Sequence, residues 1–307
     1  LAKMKNKMDS DYLGKIKEES RLWDKAAEDE LKKGPPDYSY YKQTWPYLIY
    51  RNPFVIKMLD KISEGDRVLE LGCYNGWFSL EMVRKGANID AYDISSMAIA
   101  TAKKYYLLRK KVENFKGTIT YYVSDLNYPN FLNNNYDKIV IRNVLHHLIN
   151  LDLLYKKLFS ILKPKGLILI DDALPVRKFE AIITGVLLFI LPTDIPYSQK
   201  INRVFKKGSI IKRTQDLVDS KDSSPFEGIT GEESLNKIKL LFPKNKIITY
   251  SAFVGAITSR LQLPLSIKSI LLKILNFFDY FMINVNLMRG TVYYFLAKKV
   301  DNSKRHE

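Results

Sequence analysis

The segment Val68-Leu69-Glu70-Leu71-Gly72-Cys73-Tyr74-Asn75-Gly76-Trp77-Phe78-Ser79 constrains this chain more than any other. Residues of buried-strand character run into two glycines, and a helix-forming stretch begins at once. Gly72 and Gly76 let the backbone turn tightly and approach a ligand without interference from a Cβ. The helix that opens at Trp77 offers free amide hydrogens to a carboxylate or phosphate beyond the strand end. Strand, glycine turn and helix in that order predict the first unit of a ligand-binding α/β sheet.

The remaining pattern agrees. Further strands are predicted at Asn88 to Asp93, Thr118 to Ser124, Lys138 to Ile141 and Leu167 to Ile170, after a first at Arg67 to Leu71. Helices at Trp77 to Lys85, Ser96 to Lys111 and Leu151 to Leu162 alternate with them. Such alternation implies right-handed crossovers and a doubly wound, mainly parallel sheet. In that architecture ligands sit beyond the carboxyl ends of the strands, where the crossovers change face. Asp93, about 20 residues after Gly72, is placed to accept hydrogen bonds from ribose hydroxyls. A dinucleotide turn would need G-x-G-x-x-G, and Tyr74 between Gly72 and Gly76 fits it poorly.

The block resembles motif I of class I S-adenosylmethionine-dependent methyltransferases, an acidic residue followed by x-G-x-G-x-G, with Tyr74 in place of the middle glycine. The likeness runs from Asp66 to Asp172. It includes Ala91-Tyr92-Asp93-Ile94-Ser95, Ser124-Asp125-Leu126, the stretch Tyr136 to Leu148, and the turn Leu162-Lys163-Pro164-Lys165-Gly166 before an apolar strand. The resemblance implies a Rossmann-like, seven-stranded methyltransferase sheet, closed by an antiparallel pair at Lys246 to Phe253 and Gly290 to Ala297. It implies S-adenosylmethionine as cofactor, with Asp93 on the ribose, Ile94 beside the adenine, Asp125 on the adenine amino group and Leu126 offering its backbone to a ring nitrogen. Glu70 is assigned to the cofactor's amino group, and Gly72, Tyr74, Gly76 and Arg142 complete the expected set. No metal is expected.

Methyl transfer from an activated sulfonium depends mostly on positioning, but a neutral hydroxyl acceptor benefits from a general base. His147 is the first candidate and His146 the second, just beyond the fourth strand, while the third histidine, His306, lies in a polar tail. The other reading of the pair is that it packs and orients its loop. Asp171 and Asp172 are alternative bases or a substrate clamp. Asp93 and Asp125 also have the character of helix N-caps, a role compatible with ligand binding.

Composition narrows the partners. A formal charge of +16 favours anionic ones, such as RNA, phosphorylated compounds or lipid headgroups, without choosing among them. The single cysteine, Cys73, excludes an intramolecular disulfide and a cysteine zinc cluster. Leu1 to Glu18 is polar, so no secretory signal is expected there and the expected compartment is the cytoplasm. The apolar run Ala181 to Pro192 is shorter than the roughly 20 residues that cross a bilayer.

The division expected is an N-terminal helical arm or cap (1–62), a cofactor-binding core (63–172), a lid insertion (173–230), a C-terminal completion of the core (231–300) with a helical insert (254–288), and a tail (301–307). The arm combines a helix at Asp9 to Lys33, a break at Gly34-Pro35-Pro36, an aromatic stretch at Tyr38 to Tyr50 and a helix near Phe54 to Ile62. In the lid, apolar Ala181 to Leu191 precedes Lys200, Arg203, Lys206, Lys207, Lys212 and Arg213, a pairing that suits contact with an anionic membrane, as at the inner membrane face. Ser224 to Glu233 then leads into a helix ending before Pro243. This layout is similar to methyltransferases of bacterial glycan and lipid-linked polysaccharide biosynthesis. The expected reaction is O-methylation of a sugar or other small hydroxylated acceptor, with a lipid-linked glycan as one form of it. The alternatives are an RNA methyltransferase and a non-catalytic cofactor-binding partner protein. Neither an RNA-binding module nor an N-P-P-Y tetrapeptide after the fourth strand is present, since Arg142-Asn143-Val144-Leu145 stands there.

Overall fold

The computed structural model describes residues 2–32, 48–205, 225–226 and 231–300. The expected break at Gly34-Pro35-Pro36, most of the aromatic stretch from Tyr38, the basic residues Lys206, Lys207, Lys212 and Arg213, Ser224 with 227–230, and the tail with His306 lie outside the described residues.

Two helices, α1 (Ala2–Lys32) and α2 (Leu48–Leu59), precede the sheet. The core then runs β1 (Arg67–Leu71), α3 (Trp77–Arg84), β2 (Asn88–Asp93), α4 (Ser96–Lys110), β3 (Ile119–Val123), β4 (Tyr136–Arg142), a short 3₁₀ turn (Leu145–His147), α5 (Leu151–Ile161) and β5 (Leu162–Ala173). After it come α6 (Lys178–Ile190), α7 (Tyr197–Phe205), α8 (Gly231–Leu241), β6 (Asn245–Tyr250), α9 (Val254–Arg260), α10 (Leu265–Asn284) and β7 (Val292–Lys298). Among the elements that extend past their sequence signals are α2 and β5. α2 passes through Pro53, because burial of Phe54, Val55, Met58 and Leu59 outweighs one lost backbone hydrogen bond. β5 begins at Leu162, which pairs with Tyr136 before the Lys163-Pro164-Lys165-Gly166 turn rejoins the ladder at Leu167.

The seven strands lie in the order β3-β2-β1-β4-β5-β7-β6, with β7 antiparallel to both its neighbours. The first three strands step outward from β1, and the chain then crosses to its other side to lay down β4. The switch point between β1 and β4 is where a doubly wound sheet opens a crevice. Both faces are covered, so the central strands carry continuous apolar runs, Val68-Leu69, Ile139-Val140-Ile141 and Leu167 to Ile170, rather than strict alternation. Val68, Val140 and Leu169 pack on one face with α2, α3 and α4, while Leu69, Leu71, Ile139, Ile141, Ile168 and Ile170 pack on the other with α5 and α8. A third cluster, including Leu188, Phe253, Ile257, Leu261 and Leu272, joins α6, α9 and α10.

Candidate active site

The switch-point loops depend on backbone conformations that few side chains adopt. Gly72 has φ +72°, and a Cβ there would lie 2.7 Å from that of Val144. Gly76 has φ +77°, with Tyr121 Oη 2.6 Å and the Ala102 Cβ 2.8 Å from where its own Cβ would be. Both positions therefore require glycine. Tyr74 between them is also left-handed, at φ 46°. Its amide donates to Asp93 Oδ2 at 2.8 Å, which ties the first loop to the end of β2.

These loops, with those after β3 and β4, surround a cavity of about 320 Å³. Of the cofactor residues expected from the sequence, Glu70, Gly72, Tyr74, Asp93, Ile94, Asp125, Leu126 and Arg142 line it. Gly76 does not. It precedes α3 and sets the turn, so its contribution is to backbone geometry rather than contact.

Three carboxylates thus face one space from three successive strand ends. Glu70 is buried, accepts a hydrogen bond from Ser79 Oγ, and is pushed by burial up to about 7, with Ser79 and Arg142 opposing the shift. Burial also raises Asp93, against the backbone amides of Ser95 and Tyr74 that donate to it. Asp125 accepts from the Tyr12 hydroxyl and, at 2.9 Å, from the Asn127 amide. Arg142 is 8% exposed, lies 4.6 Å from both the Trp77 and Phe78 ring centroids, and approaches Asp171 no closer than 3.7 Å. Its Nε has no hydrogen-bond partner among the described residues.

The two histidines separate. His147 lines the cavity, 3.4 Å from Glu19 through Nδ1, and its ring meets Trp23 edge-on at 5.6 Å. Burial, reinforced by the neighbouring His146, pushes its pKa down to about 3, with Asp172 opposing. The imidazole is therefore neutral and only weakly basic, contrary to what a strong general base requires. His146 does not line the cavity. Its Nδ1 is held by Asp172, which also accepts from the backbone amides of Val144 and Leu145 at 2.9 and 2.7 Å. Burial would raise Asp172, but His146 and those amides outweigh it and hold the carboxyl below its ordinary range. Asp171 is equally buried and accepts from the Tyr250 hydroxyl. Neither acid lines the cavity as a base or clamp; the Asp172 carboxylate braces the loop after β4, and Asp171 accepts the Asn143 amide of that loop at its backbone carbonyl, at 2.9 Å.

The arm supplies what the sequence reading missed. Tyr12, Ile16, Glu19 and Trp23 follow helical spacing on one face of α1, and the last three line the cavity. Trp23 Nε1 donates to Glu19 at 2.7 Å, and its ring meets Tyr74 edge-on at 5.8 Å. The side chain that replaces the middle glycine is thus a contact for the arm. Farther along, Asp24 accepts from Ser95 Oγ at 2.6 Å and from the Met97 amide at 3.0 Å, an acid at the start of α4. Glu30 accepts from Asn75 at 2.8 Å. Arg51 of α2, also lining the cavity, donates to Asn143 at 2.9 Å. The polar, charge-rich surface of α1 hid this role, although its four-residue periodicity was readable.

These residues fit the cofactor implied by the resemblance. Acceptors for an ammonium, a diol and an exocyclic amine lie at three strand ends, beside apolar Ile94, Leu126 and Leu148, and the orphaned Arg142 Nε suits a carboxylate. Among the described residues no cluster of His, Cys, Asp and Glu could hold a metal ion.

A methyltransferase domain matches residues 47–187. No curated protein matches the sequence. Similar solved structures include phosphoethanolamine N-methyltransferase 2 of Haemonchus contortus, in complex with phosphomonomethylethanolamine and S-adenosylhomocysteine, at 16% identity and TM-score 0.47. That comparison covers 82% of this chain and 52% of the other, so this chain spans about half the length of that one. The plantazolicin methyltransferase BpumL, in complex with a monoazolic desmethylPZN analogue and S-adenosylhomocysteine, is 15% identical with TM-score 0.43, over 95% and 99% of the two chains. A protein of Pyrococcus horikoshii OT3 is 17% identical with TM-score 0.45, over 89% and 99%. At these scores the fold assignment rests on the strand order itself and the domain match. That match spans the switch point of a β3-β2-β1-β4-β5-β7-β6 sheet, so residues 47–187 form a methyltransferase domain, with the strand order that the resemblance to class I S-adenosylmethionine-dependent methyltransferases implied.

Proposed function

We propose that this chain methylates a hydroxyl of a small acceptor, a sugar or similar compound, free or lipid-linked, bound in the switch-point cavity. The observation that carries the reading is the convergence of Glu70, Asp93 and Asp125 on a cavity roofed by Ile16, Glu19 and Trp23 of the arm. A roofed space of about 320 Å³ suits a small ligand better than a polynucleotide. Bound S-adenosylmethionine supplies an activated methyl group. Glu70 would hold its ammonium, Asp93 its ribose, Asp125 and Leu126 its adenine, and Arg142 its carboxylate.

The remaining work is positioning and exclusion of water, which by themselves account for large accelerations. His147, neutral and lining the cavity, accepts a hydrogen bond from the acceptor hydroxyl and orients it. The compartment proposed with this reading is the cytoplasm. To test the acceptor class, labelled methyl donor is offered to small sugars, a lipid-linked glycan extract and total RNA. Label in either of the first two fractions supports the reading. Label in RNA alone contradicts it, and cofactor binding without transfer to any pool favours a non-catalytic partner role.

A further inference from the structure

The sequence of α10 is apolar on more than the side it buries. Leu272 and Asp279 face inward, while Ile267, Ile270, Ile274, Phe277, Phe278 and Phe281 are each at least half exposed, Phe277 at 67% and Ile270 at 63%. At 100° per residue these six fall on one side of the helix, a stripe running about 20 Å along the axis. A stripe of this size is more than the scattered exposure normal to a protein surface.

The surface charges that this stretch itself carries have one sign, with Arg289 paired to Glu232 of α8. Between Val254 and Gly290 the ionisable chain consists of Arg260, Lys268, Lys273, Asp279, Tyr280 and Arg289. The acid is buried: Asp279 accepts the amides of Ala252, Phe253 and Val254 at 3.0, 2.7 and 3.1 Å and so fixes α10 against the start of α9. What the outer surface presents is apolar and cationic. The apolar set includes Phe277, Phe278 and Phe281, the kind of side chain that a helix lying on a membrane buries on its apolar face.

The expected basic flank of the lid is a different matter. Lys200 is buried, with Nζ donating to the carbonyls of Leu188 and Leu191 at 2.7 and 2.6 Å, so it closes the end of α6 instead of facing an anionic surface. Membrane contact through Lys200 is thereby excluded.

We propose that the outer face of α10 docks on an anionic bilayer surface, its apolar stripe in the headgroup boundary and Lys273 at its edge among the phosphates. No described helix is long and apolar enough to cross a membrane, so the mode is lying on the surface. A second copy of the chain is the less favoured occupant, because each copy carries a formal +16. The inference is independent of the methyl-transfer reading, since vesicle binding is measured without turnover.

The test is co-sedimentation of the full chain with phosphatidylcholine vesicles, with and without phosphatidylglycerol. Binding is expected to the anionic vesicles and to weaken with salt. The pair Phe277→Ser and Phe281→Ser should reduce partitioning roughly a hundredfold. The separate pair Ile270→Gln and Ile274→Gln should also reduce it, and serves if the first pair misfolds by circular dichroism. Lys273→Glu should weaken binding to the anionic vesicles alone. Absence of binding to anionic vesicles, or binding that both folded pairs retain in full, overturns the proposal. A stable dimer that either pair dissociates, without vesicle binding, assigns the face to a second copy and overturns it too.

Discussion

Glu70 gives a quantitative prediction, because burial moves its carboxyl from 4.5 to about 7. At about 1.4 kcal/mol per unit, ionising it in the ligand-free protein costs roughly 3 kcal/mol. The folded pKa is the higher one, so between pH 4.5 and about 7 the native state holds a proton that the unfolded chain has lost. The group's contribution to stability is complete below 4.5 and declines as pH rises through about 7. A ligand ammonium beside Glu70 reverses the balance, favours the carboxylate and releases the proton. The ionised fraction is about 3% at pH 5.5 and about half at pH 7, so affinity should rise roughly fifteenfold across that interval. The interval lies below the range of about 7.7–8.0 in which a free α-amino group titrates. His147, at about 3, stays neutral throughout it. Calorimetric titration with S-adenosylhomocysteine, in buffers of different ionisation enthalpy, measures both the affinity and the proton released. Glu70→Gln should remove most of the pH dependence and raise the melting temperature of the ligand-free protein above pH 7. A pH-independent wild-type affinity, or a dependence unchanged in Glu70→Gln, would show that Glu70 does not hold the ligand ammonium.

Gly76→Ala should destabilise the fold by about 2–4 kcal/mol, because it combines a left-handed backbone with contacts of 2.6 and 2.8 Å; urea denaturation showing less than about 1 kcal/mol would contradict this. Trp23→Ala should leave the core folded and speed dissociation of S-adenosylhomocysteine about tenfold, since it removes the ring contacts to Tyr74 and His147 and the hydrogen bond to Glu19. Stopped-flow release at the wild-type rate would show that the arm does not retain the ligand. For His147 the folded pKa is the lower one, so stability is lost as pH falls from 6.5 towards about 3. His147→Gln should flatten that acid limb in melts and lower turnover only modestly, whereas a loss of many thousandfold with unchanged acceptor affinity would restore a general-base role.

The order of the elements was legible because its signals are local. Each central strand is an apolar run ended by a turn, and Gly72, Asp93 and Asp125 fall at successive strand ends. Spacing could not say that Gly76 turns the backbone without touching the cavity, since glycines that bend and glycines that make room look alike in sequence. Nor could it divide His146 from His147. Adjacent residues on a 3₁₀ turn point different ways, and the partner that decides the matter, Asp172, comes from the end of another strand. The roof over the cavity was hidden for a related reason. α1 is polar overall, and Tyr12, Glu19, Trp23 and Asp24 acquire meaning only when the fold lays them across loops far along the chain. Tyr74 stands where the motif has its middle glycine, and its ring meets that of Trp23 edge-on.

The switch-point cavity is proposed to bind the methyl donor through acids at the strand ends. This binding is tested most directly by thermal melting of the purified protein with S-adenosylhomocysteine, with NAD, and with neither, in the wild type and in Asp93→Ala. The melting temperature is expected to rise with S-adenosylhomocysteine and not with NAD, and the rise to be abolished in the variant. An unchanged melting temperature with S-adenosylhomocysteine, or an equal rise with NAD, would contradict it.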